Sequence, residues 1–331
     1  MPSKKFLNHS FDVEFKDLYD NDGLEKIHKK FLDFLHEKSP AHFLEYQFNN
    51  AENSQYLIEI AKILEIFLVE LFLIHEKNNQ LQQQYLQYKK VCEARKEFVQ
   101  RHIAKKYSPQ DLELIKNFDY QKTLQNLAIN FSQIDEIEIA LSDKIFAKKD
   151  LEIVEKYCVW ALFSEVGQKF HKSGTLFILP QKIAIKNLIA KIEKRQRDGF
   201  DLTDNGCSAL RVSGETHYCI FCHNQKKDSC KTGFIDKETQ KIKIDELGIK
   251  LQGCPLEEKI SEMNLLKSGG FSLASLAMAI IDNPMIAGTG HRICNDCMKS
   301  CIYQKQEPVD IPQIESRISK DVLNLPFGFE I

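Results

Sequence analysis

A mainly α-helical fold is what this sequence predicts, and three observations carry it. Apolar residues recur at helical spacing through most of the chain. Glycine and proline are used sparingly, 14 and 9 among 331 residues. The strand signal is short by comparison: "KIKI" at 241–244 alternates with the period of two that a strand requires. The length predicts two domains, and the ten cysteines place the boundary. Cys92, Cys158 and Cys207 stand singly, whereas Cys219, Cys222, Cys230, Cys254, Cys294, Cys297 and Cys301 crowd into the last third. The expectation is a helical domain over 1–200 and a cysteine-bearing domain over 201–331.

In chain order, "DGLEKIHKKFLDFLHEK" (22–38) reads as a helix that Asp22 caps, ended by Ser39-Pro40. "YLIEIAKILEIFLVELFLI" (56–74) is apolar enough to require a membrane test. Glu59, Lys62, Glu65 and Glu70 interrupt it, and each charge at mid-bilayer costs about 2.5–3.5 kcal/mol. The first three recur every third residue, which predicts one polar stripe on a buried helix of a soluble bundle. Leu81, Tyr85, Tyr88 and Cys92 fall at steps of four, three and four and predict a core stripe, with Cys92 a structural thiol. Ser108 and Pro109 open a further helix. The segments 120–147 and 150–171 are helical in pattern, and "GTLFILP" (174–180) is a strand or a buried turn. The basic stretch 186–200, ending near Gly199, is the exit from the first domain.

The second part begins in a loop. "KIKI" and the turn residues of "IDKETQ" predict a small hairpin between Cys230 and Cys254, an insertion at about 231–253. Helical pattern returns from Pro255 to Ile281, divided by Gly269-Gly270.

A net charge of −2 gives no ground for a nucleic-acid surface. The basic start "MPSKKFLNHS" runs into no apolar segment, so no secretory signal is expected. Without one, the cysteines are expected to be thiols or metal ligands in the cytoplasm. Cys219-x-x-Cys222 lets two sulfurs converge on one centre, and seven clustered thiols leave two metal readings open. Two zinc sites need eight ligands, met by adding a histidine such as His217, His223 or His291. Two iron–sulfur clusters also need eight, with one ligand that is not cysteine. No Gly-x-Gly-x-x-Gly follows a strand, and no Walker loop, HExxH or Ser/His/Asp order is present, so no complete active site is expected.

The flanking residues add a resemblance. Cys219-x-x-Cys222, Cys230, "CPL" (254–256), "DNP" (282–284), "GHRICNDCMKSC" (290–301) and "EPVDIPQIESRI" (307–318) together resemble the alpha-helical ferredoxin domain of the glutamate synthase small chain and of dihydropyrimidine dehydrogenase, over about 217–320. The resemblance implies two 4Fe–4S clusters with crossed ligation. Cys219, Cys222, Cys230 and Cys301 would hold one, and Cys254, Cys294, Cys297 and Glu315 the other. It implies electron relay to a flavin-containing oxidoreductase domain or subunit, the chain being a separate subunit or a piece of a longer oxidoreductase. Arg292, beside Cys294, would either raise a cluster's potential by its charge or serve the surface only. Two departures stand out: the Cys230–Cys254 gap is far longer than the family's, and Cys294–Cys297 is one residue short, with Asn295 where the family has proline. The alternative function is a zinc-stabilised interaction protein or a fragment without activity.

Overall fold

Asp20, not Asp22, caps the first long helix: its carboxylate accepts the N–H of Gly23 at 2.6 Å. The computed structural model describes residues 6–47, 53–116, 118–180, 196–201, 206–225, 227–290 and 293–331; the stretch 186–195, most of the expected domain exit, lies outside them. Helix α1 (Asn21–Lys38) stops at Ser39, and Pro40, unable to continue it, opens α2 (Pro40–Gln47). A two-stranded antiparallel ribbon, Phe6–Asn8 with Val13–Glu14, lies beside α3 (Ser54–Phe72). Phe67 of α3 takes edge and tilted contacts from Phe11, Phe31 and Phe34. No helix among the described residues is long and apolar enough to cross a membrane.

The polar stripe expected on α3 is only partly polar in its surroundings. Glu65 is buried, where its carboxylate accepts from Asn78, Gln82 and the backbone N–H of Ala274. A buried carboxylate persists only when hydrogen-bonded in this way, and here it ties α3 to helices on both sides. Helix α4 (His75–Ala94) buries Tyr85, Tyr88 and Cys92 as their spacing predicts. It runs into a π-helical segment, Arg95–Ile103, and then α5 (Ala104–Lys106). Ser108 forms a capping box with Asp111, but Pro109–Ile115 winds as a 3₁₀ helix.

The patterned stretch 120–147 divides into α6 (Tyr120–Asn126) and α7 (Ile134–Ala147), and 150–171 into α8 (Leu151–Phe163) and α9 (Glu165–Phe170). "GTLFILP" is the buried turn of the two alternatives. The N–H groups of Thr175 and Leu176 donate to Glu138 at 2.7 and 2.8 Å, so its backbone needs no strand partner.

Seven further α-helices follow among the described residues: α10 (Ala209–Tyr218), α11 (Ser229–Thr232), α12 (Ile260–Ser268), α13 (Ser272–Ile280), α14 (Ile286–Thr289), α15 (Asp296–Lys299) and α16 (Ile311–Leu323). The mainly α fold is therefore as predicted. Gly269-Gly270 separates α12 from α13. Gly270 takes a left-handed φ of 86° and packs close to Gln82 and Tyr85 of α4. Helices from both sides of residue 200 share the cores. Ile58 and Ala61 of α3 pack with Met263, Met278 and Ile314, while Leu273 and Val322 pack with Phe34 and Phe67.

The insertion at 231–253 folds on itself through the bridges Ile235–Ile242 and Ile244–Lys250. Its two ends meet where Gly233 and Gly253, with φ of 82° and 80°, come together. A Cβ on Gly253 would stand 2.5 Å from both the N of Gly233 and the carbonyl oxygen of Lys231. Gly253→Ala is therefore expected to cost about 2 kcal/mol or more, part from the left-handed backbone and part from the clash. Chemical denaturation of the variant checks this.

Candidate metal centre

Helix α10 ends because Cys219 leaves helical geometry, with ψ at 137°. Phe221 then takes a left-handed φ of 53°, a strained value for a bulky residue. This turn wraps the Cys-x-x-Cys so that the N–H of Phe221 reaches the Cys219 sulfur. Cys222 starts a 3₁₀ turn, Cys230 sits in α11, and Cys301 follows α15. These four cysteines line one pocket, closed by Ile260, Asn264, Tyr303 and Ile311. The Cys301 sulfur accepts from the N–H groups of Tyr303 and Val309. Tyr303 stacks on Tyr218, with ring centroids 4.3 Å apart. The Cys230 thiol donates to Asp228 at 3.1 Å.

Burial pushes all four thiols up, Cys222 to about 11. Left to themselves they stay protonated; a bound cation reverses that by taking them as thiolates. Asn264 is buried, its amide close enough to Cys219 to favour the thiolate, and neither of its polar atoms has an oxygen or nitrogen partner.

The second predicted group also comes together. The N–H of Cys254 donates to the carbonyl of Cys230 at 2.8 Å. The long gap between them thus spans almost no distance, since the insertion leaves and returns at one point. The Cys254 sulfur accepts from the N–H groups of Glu258 and Leu256. Cys297 is buried, with Glu315, Cys254 and Cys294 as the charged groups that act on it, while Cys294 is exposed. Asn295 between them has a φ of 57°. Proline is locked near −65° and has no access to that conformation, whereas asparagine tolerates it.

Glu315 projects from α16 into this group. Burial, and then the neighbouring Glu258, push its carboxyl up to about 9. Sequence reasoning missed Glu258, a buried carboxyl that shares hydrogen bonds with Asn283 and with Glu315. In "PLEEKI" it resembles a helix-surface residue, but α12 begins only at Ile260.

Among the described residues, no three His, Cys, Asp or Glu side chains gather tightly enough to hold a single metal ion. His223 bonds Ser261 at 2.6 Å through Nδ1. His217 is kept neutral by burial, which lowers it to about 4, and it lines a neighbouring cleft with Cys219. His291 and Arg292 lie outside the described residues.

Fold and site together define a helical protein with two groups of cysteines, most of them buried or half-buried, gathered among its C-terminal helices. Residues 9–73 match the family model of the RP005 N-terminal alpha-helical domain. The chain is 31% identical over 291 residues to the "Uncharacterized protein RP005" of Rickettsia prowazekii (strain Madrid E), an alignment covering 78% of this chain and 97% of that protein. It belongs to the RP005 family. It is also 68% identical over 47 residues to the "Uncharacterized protein RP006" of the same organism, covering 14% of this chain and 7% of that protein. No solved structure matches it.

These findings correct the resemblance to the alpha-helical ferredoxin domain: the family shown is RP005's. Short cysteine spacings recur wherever a loop must offer two sulfurs to one centre, so they are weak markers of descent. With that resemblance goes the ground for a flavin-bearing partner.

Proposed function

We propose that this chain is an iron–sulfur protein that relays electrons. Cys219, Cys222, Cys230 and Cys301 hold one 4Fe–4S cluster; Cys254, Cys294, Cys297 and Glu315 hold a second. The observation that carries the reading is the pocket ringed by four cysteines from three segments, with backbone N–H groups directed at the sulfurs of Cys219 and Cys301. In a cubane each ligand sulfur takes a different iron, so the ligands surround a volume instead of meeting at a point. The donor set fits such a group, since thiolates with N–H donors are the ligation these clusters use, and those donors tune potential.

When bound, the clusters supply one-electron transfer. The chain's own residues do the rest. Phe221, Tyr303 and Val309 offer N–H groups that stabilise added negative charge on sulfur. Ile260, Ile311 and the Tyr218–Tyr303 stack keep water from the first pocket. The mutual hydrogen bond of Glu258 and Glu315 holds a proton beside the second group in the free protein. Bond-making chemistry belongs to a redox partner, and the reducing cytoplasm suits free thiols.

Iron and acid-labile sulfide, measured with a visible spectrum on protein purified anaerobically, test this directly. About eight irons per chain and a brown solution are expected. A colourless protein carrying zinc in place of iron would overturn the relay and leave a structural metal.

A further inference from the structure

Beside the first thiol pocket, on the far side of Cys219, lies a cleft of about 770 Å³, within the range of small-ligand sites. Its floor comes from the place where α4 gives way to the π-helical segment that starts at Arg95. Such widened turns occur disproportionately at functional sites. The change of winding sets Arg95, Lys96 and Gln100 on the cleft, opposite His217 of α10 and Tyr303.

Two observations mark it as more than a gap. Arg95 is 7% exposed. One of its nitrogens donates to the carbonyl of Gly214 at 3.1 Å, which holds the guanidinium in place, but its Nε is buried without a partner. The Nε2 of His217 is likewise buried without a partner. Both residues line the cleft, and these nitrogens, covered at its wall, leave hydrogen-bonding capacity that the fold itself does not use, although such buried groups ordinarily find partners. Lys96 lies exposed at the mouth, and Lys89 acts on His217 from the same helix as Cys92. Among the described residues that line the cleft the one carboxylate is Glu93, itself exposed. Two cations, one fixed and one mobile, against a single solvated anion favour a negatively charged occupant.

We infer that this cleft binds a small anion, a carboxylate or phosphate group, which the Arg95 guanidinium and His217 receive and Lys96 attracts. Leu179 and Tyr303 offer apolar cover for the remainder of such a molecule. This goes beyond the electron-relay reading and does not depend on it, since none of the anion's partners is a proposed cluster ligand.

The test is isothermal titration of the full chain with inorganic phosphate and, separately, with malonate, before and after removal of any metal by chelation. Saturable binding of at least one anion is expected in both preparations. Lys96→Glu, at an exposed position that folding does not need, is expected to weaken it at least fivefold, and Arg95→Gln more. Because the buried Arg95 variant is the one at risk of misfolding, its circular dichroism is compared with wild type, and Lys96→Glu decides the matter if it is unfolded. No saturable binding of either anion, or binding that Lys96→Glu leaves unchanged, overturns the proposal. Iron content read on the same samples reports on the relay separately.

Discussion

Cys297→Ser and Cys301→Ser are expected to remove different iron centres, although the two residues stand one helical turn apart. Cys294, Cys297 and Cys301 lie within eight residues of one another. The structure divides them: Cys301 lines the pocket of Cys219, Cys222 and Cys230, while Cys297 faces Cys254, Cys294 and Glu315. Each single variant should therefore hold about four irons where the wild type holds about eight, and the double variant close to none. Glu315→Ala should behave as Cys297→Ser does, and combining those two should cost no further iron. Iron and sulfide counts on anaerobically purified variants decide it. If the Cys297/Cys301 double variant retains as much iron as either single one, the two cysteines serve the same centre and the proposed ligand sets are wrong.

What the sequence shows of this protein, and what it hides, follows from range. Stripes such as Tyr85, Tyr88 and Cys92 are legible because a helix's period is local. So are the breaks at Ser39-Pro40 and Gly269-Gly270, which act on the backbone beside them. The buried charges are not legible. Glu65 reads only as part of a polar stripe, yet it accepts the N–H of Ala274, 209 residues away. Glu138 likewise gathers His171, Thr175 and Leu176 from another segment. Pattern places charge outside by default, and only the tertiary partner reveals the exception. The site shows the same limit. Which cysteines cluster was visible in their density along the chain; that Cys230 and Cys254 are hydrogen-bonded neighbours depends on a segment whose two ends meet at Gly233 and Gly253. Glu258 was invisible because its meaning comes from Glu315, on a helix more than fifty residues later.

Asp321→Asn is expected to cost roughly 3–5 kcal/mol of stability, the range for leaving one member of a buried ion pair without its partner. Asp321 of α16 accepts from Lys267 of α12 at 2.6 Å, from Arg317 at 2.7 Å and from the Tyr85 hydroxyl at 2.5 Å. Lys267 is wholly buried, with its ammonium 3.8 Å from the centre of the Tyr85 ring and 2.7 Å from Ser272. Neutralising Asp321 would strand that ammonium in a medium where an isolated charge is very costly. Burial alone would raise the Asp321 carboxyl, but Lys267 and Arg317 outweigh it and hold it below its ordinary 3.8. A carboxyl lowered in the folded state stabilises above its unfolded value, and that contribution fades as pH falls through the folded one. The wild type should thus lose stability below about pH 4 more steeply than Asp321→Asn. Denaturant midpoints from pH 7 to pH 3 read both effects. A loss under about 1 kcal/mol at pH 7, the scale of an exposed pair, would mean the network is not a structural clamp. The clamp also bears on the site, for Asp321 and Glu315 share α16. Lys267 and Tyr85 hold that helix against α12 and α4, and so keep Glu315 beside Cys297. Iron bound by Cys254, Cys294 and Cys297 should therefore leave Asp321→Asn faster under chelator than it leaves the wild type, while the thiols themselves are unaltered.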